Sequence, residues 1–172
     1  MLENIFCRDA VNNDLEALRL IAGQMHARHE RDYFERCLRE QQEKKRDFIV
    51  AEQEAGKLLG YVQLIWQPLY PLFRKLDIPE IQDLNVIPAA REQGIGSKLV
   101  DCCEERVLRA GKAEIGIGVG LNSSYGAAQR LYIKKSYIPD GFGVCYDDEP
   151  LPAGAMRAVD DLLTLKLTKK LS

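Results

Sequence analysis

Residues 81–108 constrain this chain more than any other stretch, because a glycine-containing turn there joins a strand pattern to a helix pattern. Residues 81–86 alternate in polarity, residues 91–96 form the turn, and residues 97–108 are amphipathic with helical spacing. A tight turn that leads into a helix leaves backbone N–H groups unpaired at the positive end of the helix dipole. We therefore expect a local anion site, suited to phosphate or pyrophosphate.

Composition is typical of one soluble globular domain, which we predict to span residues 1–172. Hydrophobic residues make up 46% of the 172 residues and charged residues 29%, enough for a full core. The net charge of −2 provides no general basic field, so nucleic acid is not an expected partner and any phosphate binding must be local.

Neither a membrane segment nor a metal site is expected. No apolar run approaches the roughly 18 residues of a membrane helix, and the first four residues do not resemble a signal peptide, so we predict a cytoplasmic protein. The five cysteines lack metal-ligand spacing and fit a reduced state. His26 and His29 lie three apart without a third ligand nearby, so solvated histidines are favoured over zinc ligands.

The first half of the chain predicts a strand, two helices and a hairpin. The pattern places strands at 5–8, 47–52 and 58–66, and helices from an Asn13 cap to about His26 and around residues 33–41. Prolines and aromatic residues fill the long connection that follows, with a helical turn at 72–76. Its aromatic side chains either wall an acceptor pocket or pack against the edge of the sheet.

The second half alternates between strands and helices. Gly111 is suited to end the helix after the turn, and Asn122 is suited to cap the next helix. The further strands are predicted at 114–119, 142–146 and 161–167, and residues 147–152 form an acidic loop. Glycines on one face of the strand at 114–119 allow close approach of either a ligand or a packed neighbour. The fold class is therefore α/β (α+β), with a mixed, mostly antiparallel central sheet of about six to seven strands flanked by helices.

Two familiar phosphate motifs do not fit the turn. The Rossmann fingerprint needs a third glycine where this chain has Leu99, and it belongs to an early βαβ unit rather than to mid-chain. The Walker pattern is missing because no Gly-Lys-Ser/Thr follows at its spacing. Dinucleotide and nucleoside triphosphate binding are therefore disfavoured.

The turn and the later helix together resemble the GNAT superfamily of N-acetyltransferases. Its first signature, Arg/Gln-x-x-Gly-x-Gly/Ala, is matched by Arg91-Glu92-Gln93-Gly94-Ile95-Gly96 after Leu84-Asn85-Val86. The second signature of the family is an Asn that opens a helix, followed by a Leu-Tyr pair and then by an aromatic residue. Asn122, Leu131-Tyr132 and Tyr137 match it. The family usually has Gly-Phe where this chain has Ser136-Tyr137. The resemblance covers about residues 5–170 in element order and implies a splayed pair of central strands.

The resemblance implies acetyl-CoA as the acetyl donor and no metal. The pyrophosphate would lie on the backbone amides of Gln93, Gly94, Ile95, Gly96 and Ser97, with added charge from Arg91 and with Glu92 in the same turn. Pantetheine would pair with the strand at Leu84, Asn85 and Val86, and Asn122 would contact it or cap its own helix. The two glycines fit this role because a Cβ would hold the phosphate away from the amides.

The implied chemistry is direct attack of an amine on the thioester. Tyr132 matches the family's general acid, which protonates the leaving thiolate, and a backbone amide near Val86 would polarise the thioester carbonyl. Asp83 is our candidate base, acting directly or through water, with Glu80 next nearest. Asp83 is alternatively a residue that binds a cationic acceptor, or one that makes a local hydrogen bond.

An N-acetyltransferase that acts on a small-molecule or peptide amine is thus the leading hypothesis. The first alternative is a non-catalytic acyl-CoA-binding or regulatory module on the same fold, and the second is a binder of another phosphate ligand. Family members are often dimers, so a homodimer is an expectation of the resemblance. The acidic residues Asp147, Asp148 and Glu149 either attract a cationic amine or form a solvated loop.

Overall fold

The computed structural model describes residues 4–25, 29–54 and 56–172. The chain forms two compact units, one made of Met1–Trp66 and Ile81–Glu105 and the other of Gln67–Glu80 and Arg106–Ser172. The single domain expected for residues 1–172 stays a prediction. Among the helices of the described residues, none combines the length and apolarity that a membrane crossing requires.

Helices and strands alternate through most of the chain, and short 3₁₀ turns precede three of the helices. The 3₁₀ turns are Asn12–Asp14, Pro88–Ala90 and Ser123–Tyr125. In chain order the elements are β1 (Ile5–Asp9), α1 (Leu15–Gln24), α2 (Tyr33–Gln42), β2 (Arg46–Gln53), β3 (Lys57–Ile65), α3 (Pro71–Leu76), β4 (Glu80–Val86), α4 (Ile95–Arg109), β5 (Glu114–Gly120), α5 (Gly126–Lys134), β6 (Ile138–Tyr146), β7 (Glu149–Pro150) and β8 (Leu163–Lys170).

The first unit is built on strands in the order β1-β2-β3-β4, with α1 packed on β3 and α2 packed on β2. β2 pairs antiparallel with both β1 and β3, and Ile49 lies opposite Val62. Phe34 of α2 forms an aromatic cluster with Phe48 and Tyr61, whose ring centroids lie 5.6 to 5.9 Å apart. Phe48 and Tyr61 are fully buried, so this cluster fixes α2 against the strands.

The start of α1 differs from the predicted cap at Asn13. The carboxylate of Asp14 accepts the backbone N–H of Val11 at 2.8 Å, and it also accepts two bonds from Arg8 at 2.7 and 2.8 Å. Asn13 is exposed, whereas Asp14 is buried. The prediction was displaced by one residue because a 3₁₀ turn precedes the α-helix and carries its own capping contact.

The second unit is built on strands in the order β5-β8-β6-β7, with antiparallel pairing throughout. Tyr70 and Phe73, from the proline-containing connection, are fully buried and pack in one cluster with Ile78 and Cys145. The Tyr70 hydroxyl donates to Asp140 at 2.7 Å. Of the two roles considered for these aromatic residues, the structure supports packing within the unit.

The glycine face of β5 also serves packing. A Cβ on Gly116 would lie 2.2 Å from the ring of Phe73, and one on Gly120 would lie 2.3 Å from the ring of Tyr125. Both distances are far below van der Waals contact, so only glycine admits these rings. The neighbours that approach this face are side chains of the same unit, which favours the packing alternative over ligand approach.

The predicted fold class is confirmed: the structure is mixed α/β, with mostly antiparallel strands flanked by helices. The described residues form eight strands rather than six or seven, because β7 had been assigned to the acidic loop. β6 begins earlier than predicted. Its first half does not read as a strand in the sequence, because it contains Pro139 and the glycines 141 and 143, which have φ values of +88° and +81° and lie within a register shift. The predicted splay of two central strands stays a prediction.

Candidate functional site

The glycine turn is exposed and leads directly into α4. Glu92 has a φ of +59° and Gly94 a φ of +81°, so the chain reverses through left-handed conformations. The carbonyl of Gly94 accepts the N–H of Lys98 at 3.0 Å, which is the first helical bond, and the helix begins at Ile95. The helix therefore starts earlier than the sequence pattern predicted, and Gly96 lies in its first turn.

This geometry can bind an anion. The N–H groups in the first turn of an α-helix have no carbonyl partner within the helix, and the helix dipole adds partial positive charge there. Arg91 lies beside the turn and is exposed, and its guanidinium contacts the carbonyl of Val86 at 3.4 Å and the sulfur of Met25 at 3.1 Å. A cationic side chain and the start of a 15-residue helix thus lie within one short segment.

β4 has an irregular backbone at Asp83. Its φ of +51° is a left-handed conformation in the middle of a strand, which interrupts the regular alternation of side chains. Just after this point the strand approaches β3 closely: a Cβ on Gly60 would lie 2.4 Å from the carbonyl oxygen of Asn85. The N–H of Ile87 donates to Leu59 at 2.9 Å. Leu84, Asn85 and Val86 are half-buried.

The carboxylate of Asp83 is held by hydrogen bonds from other side chains. Tyr33 donates its hydroxyl to Oδ2 at 2.7 Å, and Asn85 donates its amide to Oδ1 at 2.6 Å. Burial raises the pKa of Asp83, and the bonds from Tyr33 and Asn85 and the nearby imidazole of His29 partly oppose this. Burial and the neighbouring Asp83 charge also raise the pKa of the Tyr33 hydroxyl.

His29 joins this group through its ring. The imidazole stacks on the ring of Tyr33 with centroids 3.9 Å apart and planes 1° apart. Its Nε2 lies 3.2 Å from the hydroxyl of Tyr61 and 3.6 Å from Oδ2 of Asp83. The predicted solvated histidine is therefore a packed one; its proposed companion His26 lies outside the described residues.

Sequence reasoning missed the group formed by His29, Tyr33, Tyr61 and Asp83. Its members come from three elements and from the segment before α2, so no short motif joins them. His29 and Tyr33 are four residues apart in the sequence, but His29 precedes α2, so helical spacing does not account for their contact. Nothing in the pattern indicated that Asp83 would meet them.

A cavity of about 970 Å³ opens in the first unit beside His29. Its wall carries three carboxylates and two arginines, and two of the carboxylates pair with arginines. Among the described residues, Oε2 of Glu35 is buried there without a hydrogen-bond partner, although Oε1 pairs with Arg19. The lining residues are Arg19, Ala22, Gly23, His29, Glu30, Arg31, Asp32, Phe34 and Glu35.

The second unit holds the other predicted site residues, Asn122 and Tyr132. The Asn122 side chain accepts the N–H of Ser124 at 3.0 Å, so it caps the 3₁₀ turn that leads into α5, as the sequence indicated. Its amide also donates to Asp161 at 3.4 Å. Tyr132 lies on α5 and is 5% exposed, with its ring centroid 6.2 Å from that of Tyr137.

A buried ion cluster in the second unit includes Glu80 and Asp148, for which the sequence had suggested other roles. Nζ of Lys166 lies 2.6 Å from Glu80 and 2.5 Å from Asp148, and the Lys166 and Glu80 side chains are at most 3% exposed. Burial opposes the charge of Lys166, but the two carboxylates raise its pKa above the ordinary value. Glu80 is thus committed to an ion pair rather than available as a base, and Asp148 is not a freely solvated loop residue.

The predicted site residues therefore fall into two groups. The first unit holds residues 83–86 and 91–97, and the second holds Asn122 and Tyr132. Within the part of the chain that the structure describes, no group of three or more His, Cys, Asp or Glu residues is arranged to hold a metal ion.

Comparison with known proteins gives one family and many similar folds. The model of the acetyltransferase (GNAT) family matches residues 12–136, and a search of curated proteins found no match. One similar structure is yncA from Salmonella typhimurium with its cofactor acetyl-CoA (TM-score 0.70, 21% identity, covering 99% of this chain and 95% of that chain). Another is an N-acetyltransferase from Staphylococcus aureus Mu50 (TM-score 0.72, 19% identity, covering 99% of this chain and 100% of that chain). A third is a ribosomal-protein-alanine N-acetyltransferase from Brucella melitensis (TM-score 0.72, 19% identity, covering 96% of this chain and 99% of that chain). At these identities the structural likeness shows a shared fold.

Proposed function

Because the chain belongs to the acetyltransferase (GNAT) family, we propose that it transfers the acetyl group of acetyl-CoA to a primary amine of a small molecule or peptide. The observation that carries this proposal is the turn before α4. Gly94 is in a left-handed conformation there, and the first amides of a 15-residue helix follow it. The Salmonella structure, which contains its cofactor acetyl-CoA, supports the choice of donor.

In this proposal the turn binds the pyrophosphate of coenzyme A. The backbone amides of residues 93–97 approach its oxygens, and the exposed guanidinium of Arg91 supplies a full positive charge. Glu92 contributes its backbone, which reverses the chain at a φ of +59°. Glycine at positions 94 and 96 keeps side-chain atoms out of the phosphate position.

The pantetheine arm is proposed to lie along β4 at Leu84, Asn85 and Val86. The irregular backbone at Asp83 supports this, because such an irregularity leaves strand groups without regular ladder partners. A backbone amide near Val86 then polarises the thioester carbonyl. Asn122 contributes by capping the turn before α5, and its direct contact with pantetheine belongs to the same proposal.

The reaction needs a base for the acceptor and an acid for the leaving group. The acceptor ammonium loses a proton, the free amine attacks the thioester carbon, and the C–S bond breaks. Tyr132 is proposed to protonate the thiolate as it leaves. Asp83 is proposed to serve the acceptor side, and its raised pKa supports a role in accepting or stabilising a proton.

A non-catalytic acyl-CoA-binding module is the alternative, since it would need the same turn but no proton transfer. The cluster around Asp83 supports the enzyme: its carboxylate has a raised pKa and lies beside Tyr33 and His29, and groups perturbed in this way are concentrated at functional sites. Binding of another phosphate ligand has only the turn in its favour.

The decisive experiment combines a thermal-shift assay with a thiol-release screen. Acetyl-CoA should raise the unfolding temperature, and at least one amine should then release coenzyme A thiol. The panel includes polyamines, amino acids and alanine peptides, the last because the Brucella neighbour is a ribosomal-protein-alanine N-acetyltransferase. Binding without turnover across the panel would favour the non-catalytic module, and a shift with a nucleotide but not with acetyl-CoA would refute the proposal.

A further inference from the structure

We propose that His29 is the residue that takes the proton from the acceptor amine, and that Asp83 is a positioning residue that holds the His29 imidazole and stabilises its charge. This rests on the proposed acetyl transfer and names the base within it. Both residues belong to the first unit, so the inference uses contacts within that unit alone.

The Asp83 carboxylate is already engaged by its neighbours. Each of its oxygens already accepts a short hydrogen bond, Oδ2 from Tyr33 and Oδ1 from Asn85. A base must present a lone pair to the proton that it removes, at hydrogen-bond distance or through one water. Each carboxylate oxygen keeps a second lone pair, so these two bonds do not themselves prevent Asp83 from accepting a proton, but they fix the orientation of the carboxylate beside His29.

His29 and Asp83 differ in their access to the cavity. His29 belongs to the wall of the 970 Å³ cavity, whereas Asp83 does not. The two ring contacts of His29 that involve Tyr61 and Asp83 both use Nε2. Neither of these two contacts uses Nδ1, so Nδ1 is the ring nitrogen that we assign to the acceptor amine.

The His29 ring is held in place by its neighbours. The carboxylate of Asp83 lies 3.6 Å from Nε2, and the stacked Tyr33 ring fixes the plane of the imidazole. The other groups that act on this pair are the Tyr61 hydroxyl from β3 and Arg46, whose charge lowers the pKa of Asp83 against the effect of burial. Glu30, Arg31 and Asp32 follow His29 in the cavity wall.

The acceptor itself is inferred to be cationic. The cavity wall includes Glu30, Asp32 and Glu35 together with Arg19 and Arg31, and Glu30 and Glu35 each pair with an arginine. Among the described residues, Oε2 of Glu35 is nevertheless buried without a hydrogen-bond donor. An ammonium group is such a donor, so the cavity is suited to an amine that arrives protonated. Transfer of one proton from that ammonium to Nδ1 of His29 creates the nucleophile. After attack, the leaving thiolate takes a proton from the Tyr132 hydroxyl, and the second proton that the nitrogen loses replaces it on Tyr132.

The test compares three variants, His29→Ala, His29→Gln and Asp83→Asn, with an amine that the screen identifies. Both His29 variants should lower kcat/KM by about 10²- to 10⁴-fold and remove its acidic limb between pH 5 and 8. Asp83→Asn should lower kcat/KM less than either His29 variant, because the imidazole is retained and only a group that holds it is changed. Added imidazole should partly restore His29→Ala and should leave Asp83→Asn unchanged.

Acetyl-CoA affinity and unfolding temperature are measured for each variant, so that a folding defect is distinguished from a chemical one. Retention of the acidic limb in His29→Gln, or loss of it only in Asp83→Asn, would overturn the inference and identify Asp83 as the base. Failure of the unmodified protein to bind acetyl-CoA, or to turn over any amine, would instead refute the proposed function on which the inference rests.

Discussion

A Cβ on Gly60 would lie 2.4 Å from the carbonyl oxygen of Asn85, so the backbones of β3 and β4 meet at a distance that only glycine allows. The contact partner is backbone, which cannot rotate away as a side chain can. The close approach therefore sets the position of β4 immediately after Asp83, on the strand that carries four of the proposed site residues.

We predict that Gly60→Ala lowers the free energy of unfolding by about 1–3 kcal/mol, because the added methyl group must displace β4. The matched control is Gly23→Ala, since Gly23 is exposed on α1 and a Cβ there meets nothing within 4 Å. That change should stabilise by about 0.5–1 kcal/mol, as alanine is the better helix residue. Urea denaturation measures both, and equal effects at the two sites would contradict the close approach.

Lys166→Met should destabilise the protein by about 3–5 kcal/mol, because it leaves Glu80 and Asp148 without their cation and Glu80 is almost completely buried. The double variant Lys166→Met with Glu80→Gln removes the unpaired charge and should recover part of the loss. Chemical denaturation at neutral pH measures all three proteins. No recovery in the double variant would show that packing of the lysine chain, rather than charge, is responsible.

Asp14→Ala should cost about 1–2 kcal/mol at neutral pH through loss of the contact to the Val11 amide. Burial acts to raise the pKa of Asp14, but the bonds from Arg8 and Val11 lower it below its ordinary value. A depressed pKa contributes stability above the unfolded value of about 3.9, and this is lost as the pH falls through the folded value. The difference between the variant and the parent protein should therefore shrink below about pH 4.

The control for that experiment is Asn13→Ala, which removes the residue that sequence reasoning placed at the cap. Asn13 is exposed, so its change should stay within about 0.5 kcal/mol at every pH. A larger effect at Asn13 than at Asp14 would reverse our assignment of the helix start.

Gly94→Asp should weaken acetyl-CoA binding by roughly tenfold or more, because it brings a carboxylate to the proposed pyrophosphate position. Gly111→Asp is a matched control: Gly111 has a φ of +77°, close to the +81° of Gly94, but it follows the other end of α4. Both changes introduce similar backbone strain, and only the first should alter affinity in isothermal titration calorimetry. Equal affinities in the two variants would argue against phosphate binding at the turn.

Tyr132→Phe should reduce kcat by about 10²- to 10⁴-fold and leave acetyl-CoA affinity nearly unchanged, because the ring still fills its buried place while the acidic proton is lost. Tyr146→Phe provides the control in the same unit, where the hydroxyl donates to Asp160 at 2.8 Å. That variant should retain its turnover. An unchanged rate in Tyr132→Phe would remove this residue from the mechanism.

Local pattern was enough to predict most elements of the fold. Alternation predicted β2 and β3, helical spacing predicted α2, and a single polar residue, Asn122, predicted the start of the second-half helix segment. These predictions succeeded because periodicity and capping depend on residues within one element. β7 was missed because two residues carry no period that distinguishes a strand from a loop.

The predicted site was incomplete where function depends on contacts between distant residues. His29 and Asp83 are 54 positions apart, and Lys166 is 86 positions from Glu80. No periodicity in a single sequence reports such pairs. The left-handed conformation of Asp83 was equally hidden, because the surrounding pattern is that of an ordinary strand.

β4 carries its two carboxylates in very different surroundings. Glu80 is neutralised by a buried lysine, whereas Asp83 is surrounded by hydroxyl, amide and imidazole groups. Random mutagenesis of this seven-residue strand should therefore give two phenotypes: insoluble protein from changes at Glu80, and soluble protein of reduced activity from changes at Asp83. Directed evolution toward new acceptors would then leave Glu80 fixed and vary the residues that surround His29.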